Sequence, residues 1–65
     1  MMCLSSVYKK SGTENIFMLK NIARVEPDGE KITFTDLMGV RTEIKGKILD
    51  IDLMENIIII EGKES

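Results

Sequence analysis

The chain doubles back on itself within residues 25–35, which read VEPDGEKITFT. Asp28 and Gly29 suit the two central positions of a type I′ turn, where both residues need positive φ. After the turn, polar and apolar residues alternate, so that Ile32 and Phe34 share one face of a strand. The stretch therefore predicts a β-hairpin with Phe34 in the core.

The same alternation continues towards the C-terminus, where it predicts two more strands. Residues 40–45 alternate, and their apolar face consists of Val40, Thr42 and Ile44. Gly46 predicts a bend or bulge before a strand over residues 47–53, in which Ile51 and Leu53 face one way. Residues 56–61 read NIIIIE and form a strand that is apolar on both faces. Such a strand must be covered on both faces, so we expect a second subunit against it.

Towards the N-terminus the pattern is less regular. We expect a strand over residues 16–19 and then a kink into another over residues 22–26, because the neighbouring segments are strands. Turn residues interrupt the whole chain at short, even intervals, which is typical of a small sandwich or barrel. Residues 1–65 are therefore predicted to form one all-β domain of five to six short strands.

A chain of 65 residues is marginal as an independent domain. It buries only about 60% of the surface that its unfolded form exposes. Its single cysteine rules out an internal disulfide. A metal ion or a partner subunit remains as the source of extra stability.

Composition and charge narrow the classes of partner. The formal net charge of −2 argues mildly against nucleic acid, whose binding proteins tend to be basic. No basic segment precedes an apolar run at the N-terminus, and no apolar run approaches the roughly 20 residues that cross a bilayer. A lone thiol without a secretion signal indicates the reducing cytoplasm. We expect a cytoplasmic protein without a membrane partner.

The sequence contains few residues that could act in catalysis. Histidine is absent, which removes the commonest general base. Asp50 and Asp52 are the only close carboxylate pair, and we interpret them as a solvated polar face of a strand. Asp36 sits at the edge of a turn, where its side chain is expected to bond backbone amides. We predict that the protein is not an enzyme.

Cys3 is the residue best suited to bind a metal ion. A lone cysteine is usually a buried small hydrophobe, but this one lies beside an α-amine and backbone amides at the chain terminus. Thiolate and nitrogen donors suit a square-planar ion such as Ni(II) or Cu(II). A two-fold axis near the terminus would bring two Cys3 thiolates together.

Two other hypotheses compete with a metal site. Basic residues could form a stripe that follows phosphates: Lys9, Lys10, Lys20, Arg24, Arg41, Lys45 and Lys47. In that case Tyr8 would stack on a base, with Arg41, Lys45 and Lys47 as further contacts. Alternatively, the chain is a structural interaction module that uses its isoleucine strand as the interface and buries Cys3 in its own core.

Several segments, in this order and spacing, resemble the CooT family of small nickel-binding proteins. They are MCL at 2–4, VY at 7–8, VEPDG at 25–29, FTDLMG at 34–39, GKI at 46–48, IDLM at 51–54 and NIII at 56–59. The resemblance implies a small SH3-like barrel that forms a homodimer. It also implies one nickel ion at the dimer interface, bound by the N-terminal cysteine, here Cys3, in a protein that helps nickel reach carbon monoxide dehydrogenase. Met2 and Leu4 would then shape the site without donating sulfur.

The family has also carried a predicted RNA-binding label, so the resemblance supports a metal site more firmly than a particular client. One departure concerns the start of the chain. In the family the cysteine directly follows the initiator methionine, whereas here Met1 precedes Met2. A start at Met2 would leave Cys3 with a free α-amine and favour one metal ion per dimer. Retention of Met1 would let one chain wrap the ion with its amine, two amides and thiolate.

Overall fold

The computed structural model describes residues 3–62, which form a closed barrel of five strands. The strands are β1 (Ser5–Ser11), β2 (Glu14–Asp28), β3 (Lys31–Asp36), β4 (Arg41–Asp52) and β5 (Ile57–Gly62). Successive strands pair antiparallel, and β5 closes the barrel by pairing parallel with β1. This arrangement confirms the predicted all-β barrel and is compatible with an SH3-like fold. Since the described part of the chain consists of strands and turns, it has no helix that could span a membrane.

β2 and β4 are long because each of them pairs with two neighbours in turn. β2 pairs with β1 up to Ile22 and with β3 beyond it. At the change, Asn21 has a φ of 57°, a conformation that asparagine adopts more readily than most residues. β4 pairs with β3 up to Lys45 and with β5 from Gly46 onwards. The kink expected between residues 19 and 22 is thus a bend within one strand, and Gly46 marks a change of partner.

The core takes its side chains from the inner faces of the strands. Its buried members are Val7, Ile22, Ile32, Phe34, Ile58 and Ile60. Phe34 is 0% exposed, which confirms its predicted place in the core. The partly buried Leu19, Val25, Ile44 and Ile48 pack around this cluster.

β5 is apolar on both faces, as the sequence predicts. Ile58 and Ile60 point into the core, whereas Ile57 and Ile59 lie on the outer face and remain half-buried. The second subunit expected against this strand stays a prediction, and the dimer proposed below uses the end of the barrel instead of this face.

The predicted hairpin forms, but its turn type was wrong. Asp28 pairs with Lys31, so the loop consists of Gly29 and Glu30, and only Gly29 has a positive φ, at 63°. Positive φ at the first central residue alone is the pattern of a type II′ turn. The expected type I′ turn at Asp28 and Gly29 fails because strand pairing extends through Asp28. Gly12, with a φ of 62°, opens the β1–β2 loop in the same way.

The alternation of polar and apolar residues also gave wrong predictions for some apolar side chains. Val40 and Leu53 were expected on strand faces but lie just outside β4, where they are 58% and 80% exposed. Ile51 is inside β4 yet 50% exposed. The bulge expected near Gly46 lies at Leu49, where the register between β4 and β5 shifts. Alternation of polar and apolar residues shows which side chains share a face of a strand, but it does not show where the strand stops pairing with its neighbour.

Asp36 confirms the prediction that its carboxylate bonds backbone amides in a turn. Its Oδ1 accepts hydrogen bonds from the amides of Met38 at 2.8 Å and Val40 at 2.9 Å. This carboxylate therefore organises the β3–β4 turn, which belongs to the candidate site described below.

Substitution Asp36→Ala is expected to lower the free energy of unfolding by about 1 kcal/mol, by analogy with the loss of a helix N-cap. The physical reason is that two amides lose their acceptor. Asp36→Asn retains a side-chain oxygen and should recover most of the loss. Urea denaturation of the three proteins measures the difference; equal stability of the alanine and asparagine variants would contradict this role.

Candidate functional site

Cys3 lies two residues before β1 and is a free, solvent-exposed cysteine. Leu4, which follows it, is half-buried. Met2, the other predicted neighbour of the site, falls outside the described residues. The hypothesis that Cys3 is buried in the core is therefore wrong for the single chain.

Two turns lie at the same end of the barrel as the first residues of β1. The Leu37 amide, in the β3–β4 turn, donates a hydrogen bond of 2.9 Å to the carbonyl of Asn21, on the part of β2 beside the start of β1. In the same way the Ser6 amide donates one of 2.9 Å to the carbonyl of Asn56, at the end of the β4–β5 turn. Both turns therefore lie at the end of the barrel from which Cys3 projects.

These two turns share a short sequence and one side-chain hydrogen bond. Each contains Asp-Leu-Met, at residues 36–38 and 52–54. In each, the aspartate Oδ1 accepts a hydrogen bond from the methionine amide two residues later, at 2.8 Å and 3.0 Å respectively. Side-chain-to-backbone bonds of this kind replace a backbone turn bond. The result is that both Leu-Met pairs are held outward at the same end of the barrel.

Apolar side chains are consequently exposed in and beside the two turns at this end of the barrel. We call this group the apolar rim: Leu37, Met38, Val40, Leu53 and Met54, each more than half exposed. Exposed apolar groups that cluster are typical of interaction surfaces. The sequence analysis missed the rim, although apolar pairs at turn positions, where polar residues are usual, were the available signal.

The metal-binding capacity of one chain is limited to few side chains. Within residues 3–62, no group of three or more histidine, cysteine, aspartate or glutamate side chains is close enough to hold a metal ion. Cys3 can supply one thiolate, and backbone nitrogens beside it can supply more donors. This donor set fits a square-planar site if a second chain contributes the remaining ligands.

The predicted basic stripe does not form a continuous positive surface. Arg24 and Arg41 both approach Glu26, at 3.4 Å and 3.5 Å. Lys31 lies 3.7 Å from Glu43 on the same outer face. Carboxylates thus alternate with the basic groups, which weakens attraction for a phosphate backbone.

The four predicted nucleic-acid contacts divide between two faces of the barrel. Arg41 and Lys45 belong to the β3–β4 pairing. Tyr8 belongs to the β1–β5 pairing, and Lys47 lies opposite Glu61 in the β4–β5 pairing. The structure therefore does not bring the stacking candidate and the three basic contacts onto one surface.

The carboxylate pair in β4 is exposed, as its interpretation as a polar face requires. Asp50 and Asp52 lie on the outside of the barrel, opposite Ile59 and Ile57 of β5. Asp52 Oδ1 also accepts the Glu55 amide at 3.0 Å and so takes part in the turn.

Comparison with known proteins identifies relatives of this chain. Residues 2–61 match the family described as CO dehydrogenase accessory protein CooT. An uncharacterized protein of Archaeoglobus fulgidus is 31% identical over 45 residues, which are 69% of this chain and all of that protein. The uncharacterized protein MJ1551 of Methanocaldococcus jannaschii is 42% identical over 45 residues, or 69% of this chain and 79% of that protein.

A solved structure supports the same fold. The crystal structure assigned to CooT from Carboxydothermus hydrogenoformans superposes with a TM-score of 0.84. The match covers 95% of this chain and 100% of that one at 24% sequence identity. The family match over almost the whole chain and the shared barrel agree: this protein belongs to the CooT family of CO dehydrogenase accessory proteins.

Proposed function

We propose that this protein is an accessory protein that binds Ni(II) through the Cys3 thiolates of two chains at a homodimer interface. It would act as a metallochaperone or a metal store, with nickel as its cargo. The observation that carries the proposal is the exposed Cys3 thiol at the barrel end that also bears the apolar rim. An accessory role follows from family membership; the metal, its ligands and the dimer are the proposal.

The chemistry of Cys3 favours Ni(II) as the cargo. Thiolate sulfur and amine or amide nitrogen together form a strong-field ligand set that suits square-planar Ni(II). One chain supplies half of such a set with one sulfur and one adjacent nitrogen. A two-fold axis beside Cys3 would complete it, since each chain then contributes the same pair of atoms.

The apolar rim supports a second copy of the chain at this position. Its side chains are exposed in the single chain, and burial of one such side chain contributes roughly 1.5–3 kcal/mol. Together they could offset the loss of freedom on association. A dimer formed through the rim would bring its two Cys3 residues towards each other.

Carbon monoxide dehydrogenase is the proposed recipient, because the family description assigns an accessory role towards that enzyme. A cargo site at an exposed chain end suits transfer, since a recipient can approach the ion without unfolding the barrel. The reduced thiol that such a site needs is preserved in the cytoplasm.

A titration with Ni(II) tests the binding step. The reduced, tag-free protein is followed by ultraviolet–visible absorption as Ni(II) is added. Thiolate-to-nickel charge-transfer bands are expected to rise and saturate at one ion per two chains. A flat titration would reject nickel binding by Cys3, and saturation at one ion per chain would reject a site shared between chains.

A substitution in the apolar rim tests whether the dimer forms through it. Met54→Glu places a charge on a side chain that is 91% exposed in the single chain but would be buried in the dimer. We expect dimer dissociation to rise by about tenfold or more, because an unpaired charge would be desolvated. Sedimentation equilibrium of the metal-free protein measures the change.

Ile16→Glu is the matched control for that substitution. Ile16 is also exposed but belongs to the far end of the β1–β2 hairpin, away from the start of β1. It should leave the dissociation constant unchanged. Equal effects of the two substitutions would show that the rim is not the interface.

A further inference from the structure

A groove on the outer face of the barrel is not explained by the metal site. It has a volume of about 310 Å³ and is formed mainly by β1, β4 and β5. Its lining consists of Tyr8, Asn15, Asp50, Asp52, Ile57 and Ile59. It thus combines an apolar floor with two carboxylates and an aromatic wall.

Strand register explains why these groups share one face. Tyr8 lies opposite Ile59 in the β1–β5 pairing, and Ile59 lies opposite Asp50 in the β4–β5 pairing. Ile57 lies opposite Asp52 in the next row. Residues that are opposite each other in a sheet point to the same side. Each outward isoleucine of β5 therefore has a carboxylate beside it.

The aromatic wall is held in place by a second ring. Tyr8 and Phe17 pack edge to face, with ring centroids 5.7 Å apart and an interplanar angle of 78°. This is a preferred geometry for aromatic pairs. The tyrosine ring, packed in this way against Phe17, lines the groove.

The two carboxylates differ in their availability. Asp52 Oδ1 accepts the amides of Met54 and Glu55, each at 3.0 Å, so that this side chain is oriented by the turn. The Asp50 side chain, by contrast, has no hydrogen bond or ion pair with any residue in the range 3–62. The groove therefore contains an exposed negative charge that no cation of the described chain neutralises.

We propose that this groove binds the side chain of a lysine on the surface of a partner protein. The four-carbon stem of lysine would lie on Ile57 and Ile59, and its ammonium group would donate to Asp50. The face of Tyr8 offers additional attraction for the cation. An aliphatic chain that ends in a positive charge is the ligand that matches this order of apolar and acidic groups.

The size of the groove favours one projecting side chain over a free small molecule. Pockets that enclose a ligand usually measure about 300–1,000 Å³ and surround most of it. This groove is at the lower limit and open to solvent along the barrel surface. Its Asp52 end adjoins the β4–β5 turn, so a partner anchored here would also lie close to the apolar rim. Lysine binding itself does not depend on nickel.

The test uses the reduced full-length protein and two peptides that differ only in charge. The probe is N-acetyl-Gly-Lys-Gly-amide, and its control carries an acetyl group on the lysine Nζ. Binding is followed by ¹H–¹⁵N correlation spectra. The charged peptide is expected to shift the amide signals of Tyr8, Ile57 and Ile59, whereas the acetylated peptide should not.

Two matched variants locate the charge that matters. Asp50→Asn should weaken binding of the charged peptide by about threefold to fivefold, the size expected for a partly exposed ion pair. Asp28→Asn makes the same charge change at the β2–β3 turn and should leave binding unaltered. The proposal is overturned if both peptides bind equally, if neither shifts the groove signals, or if the two variants have the same effect.

Discussion

Substitution Cys3→Ala is expected to abolish the nickel charge-transfer bands and to weaken Ni(II) binding by more than about a hundredfold. Loss of a residue that only orients a metal ligand already weakens affinity by about 10- to 100-fold, so loss of the only thiolate should exceed that range. The fold should persist because Cys3 is exposed and precedes the first strand. Competition with a coloured chelator measures the affinity, and circular dichroism checks the fold.

Met18→Leu serves as the control for that experiment. It removes a sulfur atom from β2 without touching the start of β1, so nickel affinity should not change. If Cys3→Ala retained the affinity of the parent protein, the ligand assignment would be wrong. If Met18→Leu reduced it, thioether sulfur would have to be added to the ligand set.

The second large effect is expected at the point where β4 changes partner. Gly46 lies opposite Gly62, and its amide donates to the carbonyl of Glu30 at 2.8 Å. A Cβ at Gly46 would overlap the carbonyl oxygen of Glu61, and backbone atoms cannot move aside as a flexible side chain can. Gly46→Ala should therefore lower the free energy of unfolding by about 3 kcal/mol or more, which is a large loss for a single substitution.

A loss of that size would remove about a third or more of the stability of the protein. A 65-residue domain is expected to have only about 3–10 kcal/mol of stability. Gly62→Ala is the control, because the nearest atoms that a Cβ there would meet are at the far end of the Lys9 side chain, which can rotate away. It should cost less than about 1 kcal/mol. Urea denaturation that gave the two variants equal midpoints would contradict the close approach at Gly46.

The all-β fold and much of the core could be predicted because the relevant signals are local. Ile32 and Phe34 alternate with polar residues over one short strand, and the structure buries both. Asp36 is the last residue of β3 and precedes a glycine turn, and its carboxylate does bond the turn amides. In both cases the structure depends on residues that are close together in the sequence.

Features that depend on pairing between distant segments were less predictable. The turn type at Gly29 depends on whether Asp28 pairs with Lys31, which alternation alone does not show. Likewise, the rows that place Asp50 beside Ile59 exist only because of the register shift at Leu49. The groove could not be inferred before that register was known.

The candidate site was predicted in part. Cys3 was singled out from its residue type and its place near the terminus; the structure shows that its thiol is exposed, and its role as a metal ligand stays a prediction. The apolar rim was missed because its members come from two turns that are far apart in sequence. The basic stripe was overestimated, since a list of lysines and arginines does not reveal that Glu26 lies between Arg24 and Arg41.

Native mass spectrometry of the reduced protein after addition of Ni(II) counts chains and ions in one particle. We expect a dimer that carries one nickel ion, and a Cys3→Ala protein that forms the same dimer without nickel. Dimers or monomers that remain free of nickel, or that carry one ion for every chain, would contradict a site shared by two Cys3 thiolates.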